Sequence, residues 1–231
     1  MLVFGVMVGA ILTNKAPVTL KDVTPIARLT GEYEAIVVPA NSEIQNIGQL
    51  VEKLKADPGS VSWAGGSAGG TDHIGAGLIA KAAGVDPTKI NYIAYSGGGE
   101  ALAAILGGQV TVGISSYGEF QAQVAAGTLR LLAVSSAERI AGADAPTLKE
   151  SGLDVVLQNW RMVAAAPGLT DEQKAAVTAD VEKLAKSAGW QETLKTKNWQ
   201  DTYLVGAAFE EQLAKDIAAT EAILKDIGLV K

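Results

Sequence analysis

The sequence predicts an α/β fold with mostly parallel strands and helices on both faces of the sheet. Three observations predict it. Short apolar segments alternate with segments of helical periodicity, glycine or proline turns separate them, and the apolar run Leu129–Val134 suits a strand that is covered on both faces. A β-α-β-α order of this kind is typical of parallel sheets. With 231 residues, 48% of them hydrophobic, the chain can bury a core in one large domain or two small ones.

The N-terminal residues are interpreted as a buried strand. Residues Met1 to Leu12 are apolar or Gly, and Lys15 is the first charged residue. This run is too short to span a bilayer, which takes about 20 residues, and it lacks the positive n-region of a signal peptide. We expect a strand at Leu2–Phe4, followed by a loop and a helix, so that the chain opens inside a domain.

Capping signals and glycines mark the elements that follow. Ser42 with Gln45 indicates a capping box for a helix that Asp57-Pro58-Gly59 ends. Further helices are expected at 74–82, 102–106, 120–126, 171–188 and 209–227. Further strands are expected at 61–63, 91–95, 110–114 and 163–166.

Three glycine-rich turns follow predicted strands and form the candidate binding site. They are Ala64–Thr71, Ser96–Gly99 and Ser115–Gly118. Ligands of open α/β sheets bind outside the carboxyl ends of the strands, glycine allows close backbone approach, and a helix N-terminus offers free N–H groups to an anion. No Lys or Arg occurs from Ile90 through Leu129. The turns therefore predict a carboxylate or phosphate pocket built from amides and hydroxyls, although tight-turn geometry alone would explain any one of them.

The composition excludes several classes of function. A formal net charge of −6 argues against nucleic-acid binding, which needs a basic surface. The absence of Cys excludes disulfides and thiol chemistry, and one His cannot build a His-rich metal centre. We therefore expect neither a metal nor a cofactor.

A hydrolase is disfavoured by the position of the single histidine. Gly65–Gly69 matches the nucleophile-elbow pattern G-x-S-x-G, whose triad needs a distant His. His73 instead follows Asp72 on the adjoining helix, and neighbours on a helix do not face each other. We interpret His73 as an orienting or core histidine that is hydrogen-bonded near the turn. The acidic residues interpreted as solvated or capping are Glu32, Glu34, Glu100 and Glu119.

Short motifs follow one another along essentially the whole chain. They are Val23–Leu29, the turn leading to His73, Ala82–Val85, Tyr95–Gly98 with Ala101-Leu102, Leu106–Val110, Ala126–Ser135, Ala145–Leu148 with Gly152, and Asn159-Trp160 leading to Ala166-Pro167. Each motif alone is weakly specific. In this order and spacing they resemble the extracytoplasmic solute-binding receptors of the tripartite tricarboxylate transporter family, the TctC/Bug receptors.

The resemblance implies a two-lobed, periplasmic-binding-protein-like "Venus flytrap" fold. One lobe would comprise residues 1–37 with 158–231 and the other residues 38–157, with crossings near Ile36–Pro39 and Val155–Trp160. It implies a periplasmic receptor, not an enzyme, that captures a small carboxylate and delivers it to membrane permease subunits. Members of the family carry a signal peptide, a first strand, a helix and a Gly-rich ligand loop before the point where this chain begins. We therefore expect weaker binding and lower stability than in a complete relative.

The expected ligand-binding residues lie in the three turns and in the later Trp motif. They are Ser67, Gly69, Gly70, Thr71, His73, Ser96, Gly97, Gly98, Ser115, Tyr117, Trp160 and Arg161. The chain departs from the family pattern at Ser96, where relatives usually carry Lys, at Ser115, where they often carry Asp, and at Arg161, where they usually carry an aromatic residue. The loss of an acid and the gain of a base predict a more anionic ligand, a di- or tricarboxylate such as citrate.

Two other functions stay open at this point. One is a binding module for an aromatic acid that stacks on Trp63, Tyr117 and Trp160. The other is a small α/β enzyme that acts on a carboxylate, with Glu100 or Asp72 as the base.

Overall fold

The computed structural model describes residues 1–231 and contains eight strands and eight α-helices. The strands are β1 (Leu2–Phe4), β2 (Thr24–Pro39), β3 (Ser62–Gly65), β4 (Asn91–Ala94), β5 (Val112–Ser116), β6 (Leu129–Val134), β7 (Gln158–Ala165) and β8 (Gln200–Val205). The helices are α1 (Val6–Thr13), α2 (Ile47–Ala56), α3 (Thr71–Ala82), α4 (Gly98–Leu106), α5 (Tyr117–Ala125), α6 (Asp171–Lys186), α7 (Ala188–Lys197) and α8 (Gly206–Asp226). None of these helices is both long and apolar enough to cross a bilayer.

Strand β2 belongs to two halves of the sheet at once. It changes partners between Tyr33, which lies opposite Gln158 of β7, and Glu34, which lies opposite Ser116 of β5. The strand order is β1-β7-β2-β8 on one side of this point, which we call the terminal half. It is β6-β2-β5-β3-β4 on the other side, which we call the central half. The division into lobes at 37/38 and 157/158 stays a prediction.

The prediction of an α/β fold is confirmed, but the prediction of mostly parallel strands is wrong. Only the β3–β4 and β3–β5 pairs are parallel. Strand β2 runs antiparallel to β5, β6, β7 and β8, and β1 runs antiparallel to β7. Strands β3, β4 and β5 are joined by helices, and such crossover connections produce parallel strand pairs. Strand β2 comes before them in the chain and lies between β5 and β6 in one half and between β7 and β8 in the other, all of which run in the opposite direction.

Helices cover both faces of each half because successive residues of a strand point to opposite faces. In the central half, Ile36 packs with α2 and α3, and Val37 packs with α4 and α5. In the terminal half, Met162 packs with α1 and α8, and Val163 packs with α6. Helix α8 also reaches α3 of the central half, where Ile74 lies in one cluster with residues 223, 224 and 227.

One local prediction is wrong. The side chain that caps α2 is Asn46, which accepts the N–H of Gln49 at 3.0 Å, whereas the Ser42 hydroxyl accepts the N–H of Ile44 within a turn. The helix expected at 171–188 is present as α6, and the separate helix α7, which Ser187 caps, was not expected. Strand β8 and most of β2 were not expected, because their residues show neither clear alternation nor a continuous apolar run. The strand expected at Leu2–Phe4 is present as β1.

Candidate functional site

The three glycine-rich turns lie at one edge of the sheet. β4, β3 and β5 are parallel neighbours, so their carboxyl ends share an edge. Helices α3, α4 and α5 begin at that edge, at Thr71, Gly98 and Tyr117 respectively. Their N-terminal N–H groups therefore point to a common region, as the sequence predicts.

Side chains connect the three turns to one another. Asp72, at the start of α3, accepts the N–H of Gly66 at 2.7 Å and lies near Ser115 of the third turn. The Ser115 hydroxyl donates to Glu119 Oε2 at 2.6 Å. A Cβ on Gly98, in the second turn, would overlap that same oxygen. The glycine at 98 therefore gives the Glu119 carboxylate its place between the second and third turns.

His73 holds the first turn in shape. Its Nδ1 accepts the N–H of Gly69 at 3.2 Å, and its ring stacks on Tyr92 with 4.1 Å between ring centres. The Tyr92 hydroxyl donates to the carbonyl of Gly66 at 2.8 Å. Burial lowers the pKa of His73 to about 4, so the imidazole is neutral above that pH. The interpretation of His73 as an orienting histidine near the turn is confirmed.

Helix α1 covers the first turn. Gly69 adopts a left-handed φ of +75°, and a Cβ added there would contact Thr13 at 2.7 Å. A Cβ on Gly70 would contact Val6 at 2.8 Å, and one on Gly9 of α1 would overlap the carbonyl oxygen of Gly69. These glycines thus allow α1 to pack directly on the turn. Of the two predicted hydroxyls here, that of Ser67 belongs to an exposed residue and that of Thr71 to a buried one.

The other predicted residues fall into two groups. Ser96 and Gly97 are open: Ser96 is exposed, its N–H donates to Glu100 at 3.1 Å, and nothing would meet a Cβ on Gly97 within 4 Å. The capping interpretation of Glu100 is therefore confirmed. Tyr117 and Trp160 are buried instead. The Tyr117 hydroxyl donates to the carbonyl of residue 142 at 3.1 Å, and Trp160 packs in the core of the terminal half.

Arg161 links the terminal half to the third turn through Glu32. Its Nη2 donates to Glu32 Oε2 at 2.6 Å, and the same oxygen accepts the hydroxyl of Ser116 at 3.1 Å. The guanidinium lies between two rings, 4.4 Å from the ring centre of Trp199 and 5.3 Å from that of Phe4. The indole N–H of Trp199 donates to the other Glu32 oxygen. The positive charge predicted at 161 is thus paired inside the chain.

Glu34 is the residue of this region that the sequence interpretation missed. It is 0% exposed, and neither carboxylate oxygen receives a hydrogen bond from a donor. Burial raises its pKa well above the ordinary range, and the nearby carboxylates of Asp72, Glu32 and Glu119 raise it further. The interpretation of Glu34 as solvated or capping is wrong, and so is that of Glu32, whose largely buried carboxylate binds Arg161, Ser116 and Trp199. The available signal was two acidic residues, 32 and 34, at alternate positions directly before the apolar run 35–38, which places both on one face of a strand.

Burial also perturbs the neighbour of Glu34. It raises the pKa of Asp72 to about 6, against the opposing effect of the hydrogen bond from Gly66. The ion pair Glu32–Arg161 bonds Ser116, and the buried carboxyl groups of Glu34 and Asp72 lie near it. Together with Glu119 they place four carboxyl groups and one guanidinium at the edge where the three turns meet.

Two cavities lie between the halves. One, of about 560 Å³, is lined by Thr71 and Trp160 together with Arg28 and Gln158. The other, of about 580 Å³, is lined by the segment 136–141 and by residues of α7, and includes Trp199. Trp63, which the aromatic-acid alternative would use for stacking, is 0% exposed in the central core. No group of three or more His, Asp or Glu side chains in the structure is arranged to hold a metal ion.

Comparison with known proteins places this arrangement in a family. The sequence profile described as "Tripartite tricarboxylate transporter family receptor", TctC, matches residues 5–229. This chain belongs to the TctC family. It is 28% identical over 92% of its length to the UPF0065 protein in the gbd 5′ region of Cupriavidus necator. It is 34% identical over 73% of its length to a UPF0065 protein of Bordetella bronchiseptica. The TctC-family chain spans 64% and 49% of these two curated relatives.

Solved structures show the same fold. A TctC solute-binding protein from Polaromonas, solved without ligand, superposes with a TM-score of 0.79 at 28% identity, over 97% of this chain and 76% of that one. MatC from Rhodopseudomonas palustris with bound malate gives a TM-score of 0.74 at 19% identity, over 100% and 78% of the two chains. Another R. palustris protein, solved with adipate, gives 0.78 at 21% identity, over 90% and 69%. The periplasmic-binding-protein-like architecture that the sequence predicts is confirmed, and proteins of this family are periplasmic solute-binding receptors.

Proposed function

We propose that this chain captures a small organic acid between its two halves and presents it to the membrane permease subunits of a tripartite transporter, from the periplasm. It acts as a binding protein and not as an enzyme. Family membership supports the role, and the malate and adipate held by two proteins of this fold support an acid as the ligand class. Whether the acid is a tricarboxylate such as citrate stays a prediction.

The observation that carries this proposal is the meeting of three helix N-termini with Arg161. Helices α3, α4 and α5 start at one sheet edge, and the contact between Ser116, Glu32 and Arg161 brings β7 of the other half to the same edge. N–H groups at helix N-termini, hydroxyls and one guanidinium are the donors that a carboxylate needs. The hydroxyls of Ser115 and Ser116 and the Arg161 guanidinium bond Glu119 and Glu32 in this structure, so a bound acid would take the place of these carboxylates. The donors come from both halves, so a bound acid would stabilise one relative position of the halves over others.

The residues expected to contact the ligand are the twelve named from the sequence. Their exposure and their internal hydrogen bonds show which of them are best suited to do so. Ser96, Gly97, Ser115 and Arg161 either face open space or exchange hydrogen bonds at the shared edge. Tyr117 is less suited to direct contact because its ring and hydroxyl are engaged inside the central half. The same packing argues against the aromatic-stacking alternative.

Calorimetric titration of the full chain tests the proposal. Adipate, malate and citrate are the probes, with inorganic phosphate and glucose as controls of different chemistry. At least one acid should bind, and Arg161→Gln should weaken it about tenfold or more, since a hydrogen bond to a charged group contributes about 1.5–3 kcal/mol.

Lys174→Gln is the control, because Lys174 is a basic residue of α6 that is paired with Glu210 of α8 and lines neither cavity. It should leave the affinity unchanged. Binding of phosphate or glucose without binding of any acid would contradict the proposal, and so would equal losses in the two variants.

A further inference from the structure

Helix α8 belongs to both halves of the molecule. Near its start, Phe209 and Leu213 are buried in the core of the terminal half, together with residues of β1 and β7. Near its end, Ile223 and Leu224 are buried against Ile74 of α3, which lies in the central half. α8 therefore connects the two halves in addition to the two segments of chain that pass between them.

The two attachments of α8 lie at either end of a cavity. The cavity of about 560 Å³ is lined by Gln212, Asp216 and Thr220 of α8 and, on the opposite side, by Thr71 and Leu78 of α3. The middle of α8 is thus separated from α3 by open space, and the apolar contact between the two helices lies at residues 223–227. We call this stretch, residues 223–227, the strap.

The contact of the strap with α3 requires a glycine. Gly77 lies in the middle of α3, and a Cβ added there would come within 2.5 Å of the side chain of Ile227, which is itself buried. Glycine is unfavourable in a helix relative to alanine, so Gly77 serves the contact rather than α3 itself. The ion pair of Lys81 with Asp226 adjoins the contact, but both side chains are largely exposed, so the pair adds little.

The strap is apolar, whereas other side-chain contacts between the halves are polar. The Ser116 hydroxyl donates to Glu32, and the amide of Asn198 donates to that of Gln121. When the halves separate, such polar groups exchange a protein partner for water at little net cost. The apolar side chains of the strap would instead expose area that is now buried, which is unfavourable. The strap therefore stabilises the present relative position of the halves.

Resting on the proposed function, we propose that the strap holds the two halves in the arrangement that binds the acid. When the strap leaves α3, the halves rotate about the crossing segments, and Arg161 moves away from the three turns. The apparent dissociation constant for the acid then equals the intrinsic constant divided by the fraction of molecules whose strap is attached. The strap thus sets the affinity without touching the ligand.

Spin labels measure the separation of the halves without any ligand. The chain has no cysteine, so Gln109→Cys and Glu192→Cys introduce one label at an exposed position in each half. Gly77→Ala places a methyl group where Ile227 lies, and Ile223→Ala removes apolar area from the strap. We expect one distance between the labels when the strap is intact, and an additional, longer distance in both strap variants.

Leu213→Ala is the matched control for the strap variants. It removes a buried apolar side chain from the same helix, but from the part that packs in the terminal half alone. Leu213→Ala should lower the thermal midpoint, as Ile223→Ala does, yet leave the distance between the labels unchanged. The comparison separates a general loss of stability from release of the strap.

Titration of the same proteins with adipate, malate and citrate connects the strap to binding. The loss of affinity should follow the attached fraction that the labels report, so a variant with one molecule in ten attached should bind about tenfold more weakly. Leu213→Ala should bind as tightly as the protein with the intact strap.

The outcomes distinguish the strap from the proposed function. An unchanged distance in both strap variants would overturn the strap inference whether or not an acid binds, and so would an equal change in Leu213→Ala. A longer distance without the corresponding loss of affinity would also overturn it. If none of the three acids binds the protein with the intact strap, the proposed function fails, and the distances alone then decide whether α8 holds the halves together.

Discussion

Replacing Asp72 with Asn should change how the stability of the protein depends on pH. Burial raises the pKa of Asp72 from an ordinary 3.8 to about 6. Between about pH 3.8 and 6 the folded state holds a proton on Asp72 that the unfolded state releases. The contribution of Asp72 to the free energy of unfolding is therefore full below about pH 3.8 and is lost as the pH rises through 6. A shift of about two pKa units corresponds to about 3 kcal/mol.

His73 has the opposite effect over nearly the same range. Burial lowers its pKa to about 4 from an ordinary 6.5, so its contribution is absent at low pH and grows as the pH rises from 4 to 6.5. The two contributions partly cancel, so the free energy of unfolding of the wild-type protein shows neither effect clearly when it is plotted against pH. The difference between the Asp72→Asn variant and the wild-type protein removes the contribution of His73, which the two share.

Urea unfolding followed by tryptophan fluorescence at pH 4, 5, 6, 7 and 8 measures this difference. We expect the variant to gain about 3 kcal/mol relative to the wild-type protein between pH 4 and pH 8. Its amide oxygen can still accept the N–H of Gly66, so the turn is retained. Asp144→Asn, at an exposed aspartate, should show no such trend. If the curves of the Asp72 variant and the wild-type protein run parallel, Asp72 ionises normally and the argument from burial is refuted.

Three further predictions concern packing, the crossing of β2 and helix capping. Gly9→Ala should cost about 1–3 kcal/mol in urea unfolding, because its Cβ overlaps a backbone oxygen of the first turn, whereas Gly189→Ala has open space and should be neutral or stabilising. Ser135→Ala should lower the free energy of unfolding by about 1–3 kcal/mol in the same assay. The buried Ser135 hydroxyl accepts the N–H of Glu34 and donates to the carbonyl of Leu157, and so joins the two segments that pass between the halves; an unchanged urea midpoint would argue against that role. Asn46→Ala should lower the thermal midpoint by the equivalent of about 1 kcal/mol and Ser42→Ala by less, and the reverse order would favour the capping box predicted from the sequence.

The net charge at the site depends on side-chain contacts that no local sequence pattern indicates. Arg161 and Ser115 suggested a more anionic ligand when considered alone. In the fold Arg161 meets Glu32, and Ser115 meets Glu119. Both substitutions therefore place an acidic side chain beside the altered residue, Glu32 from a distant part of the chain and Glu119 from four residues later. The net charge at the edge of the sheet differs from what the substitutions alone indicate.

The sequence by itself determined the elements between residues 47 and 134, because glycine, proline and capping residues act on their immediate neighbours. It also determined that three turns would share one edge, since that follows from the strand–helix alternation. Only the tertiary structure decided that β2 would serve both halves, that most strand pairs would be antiparallel, and that Glu34 would be buried beside Asp72. The burial of Glu34 and the pairing of β2 depend on residues far away in the sequence, such as 34 with 116 or 32 with 161, and short-range patterns carry no information about such partners.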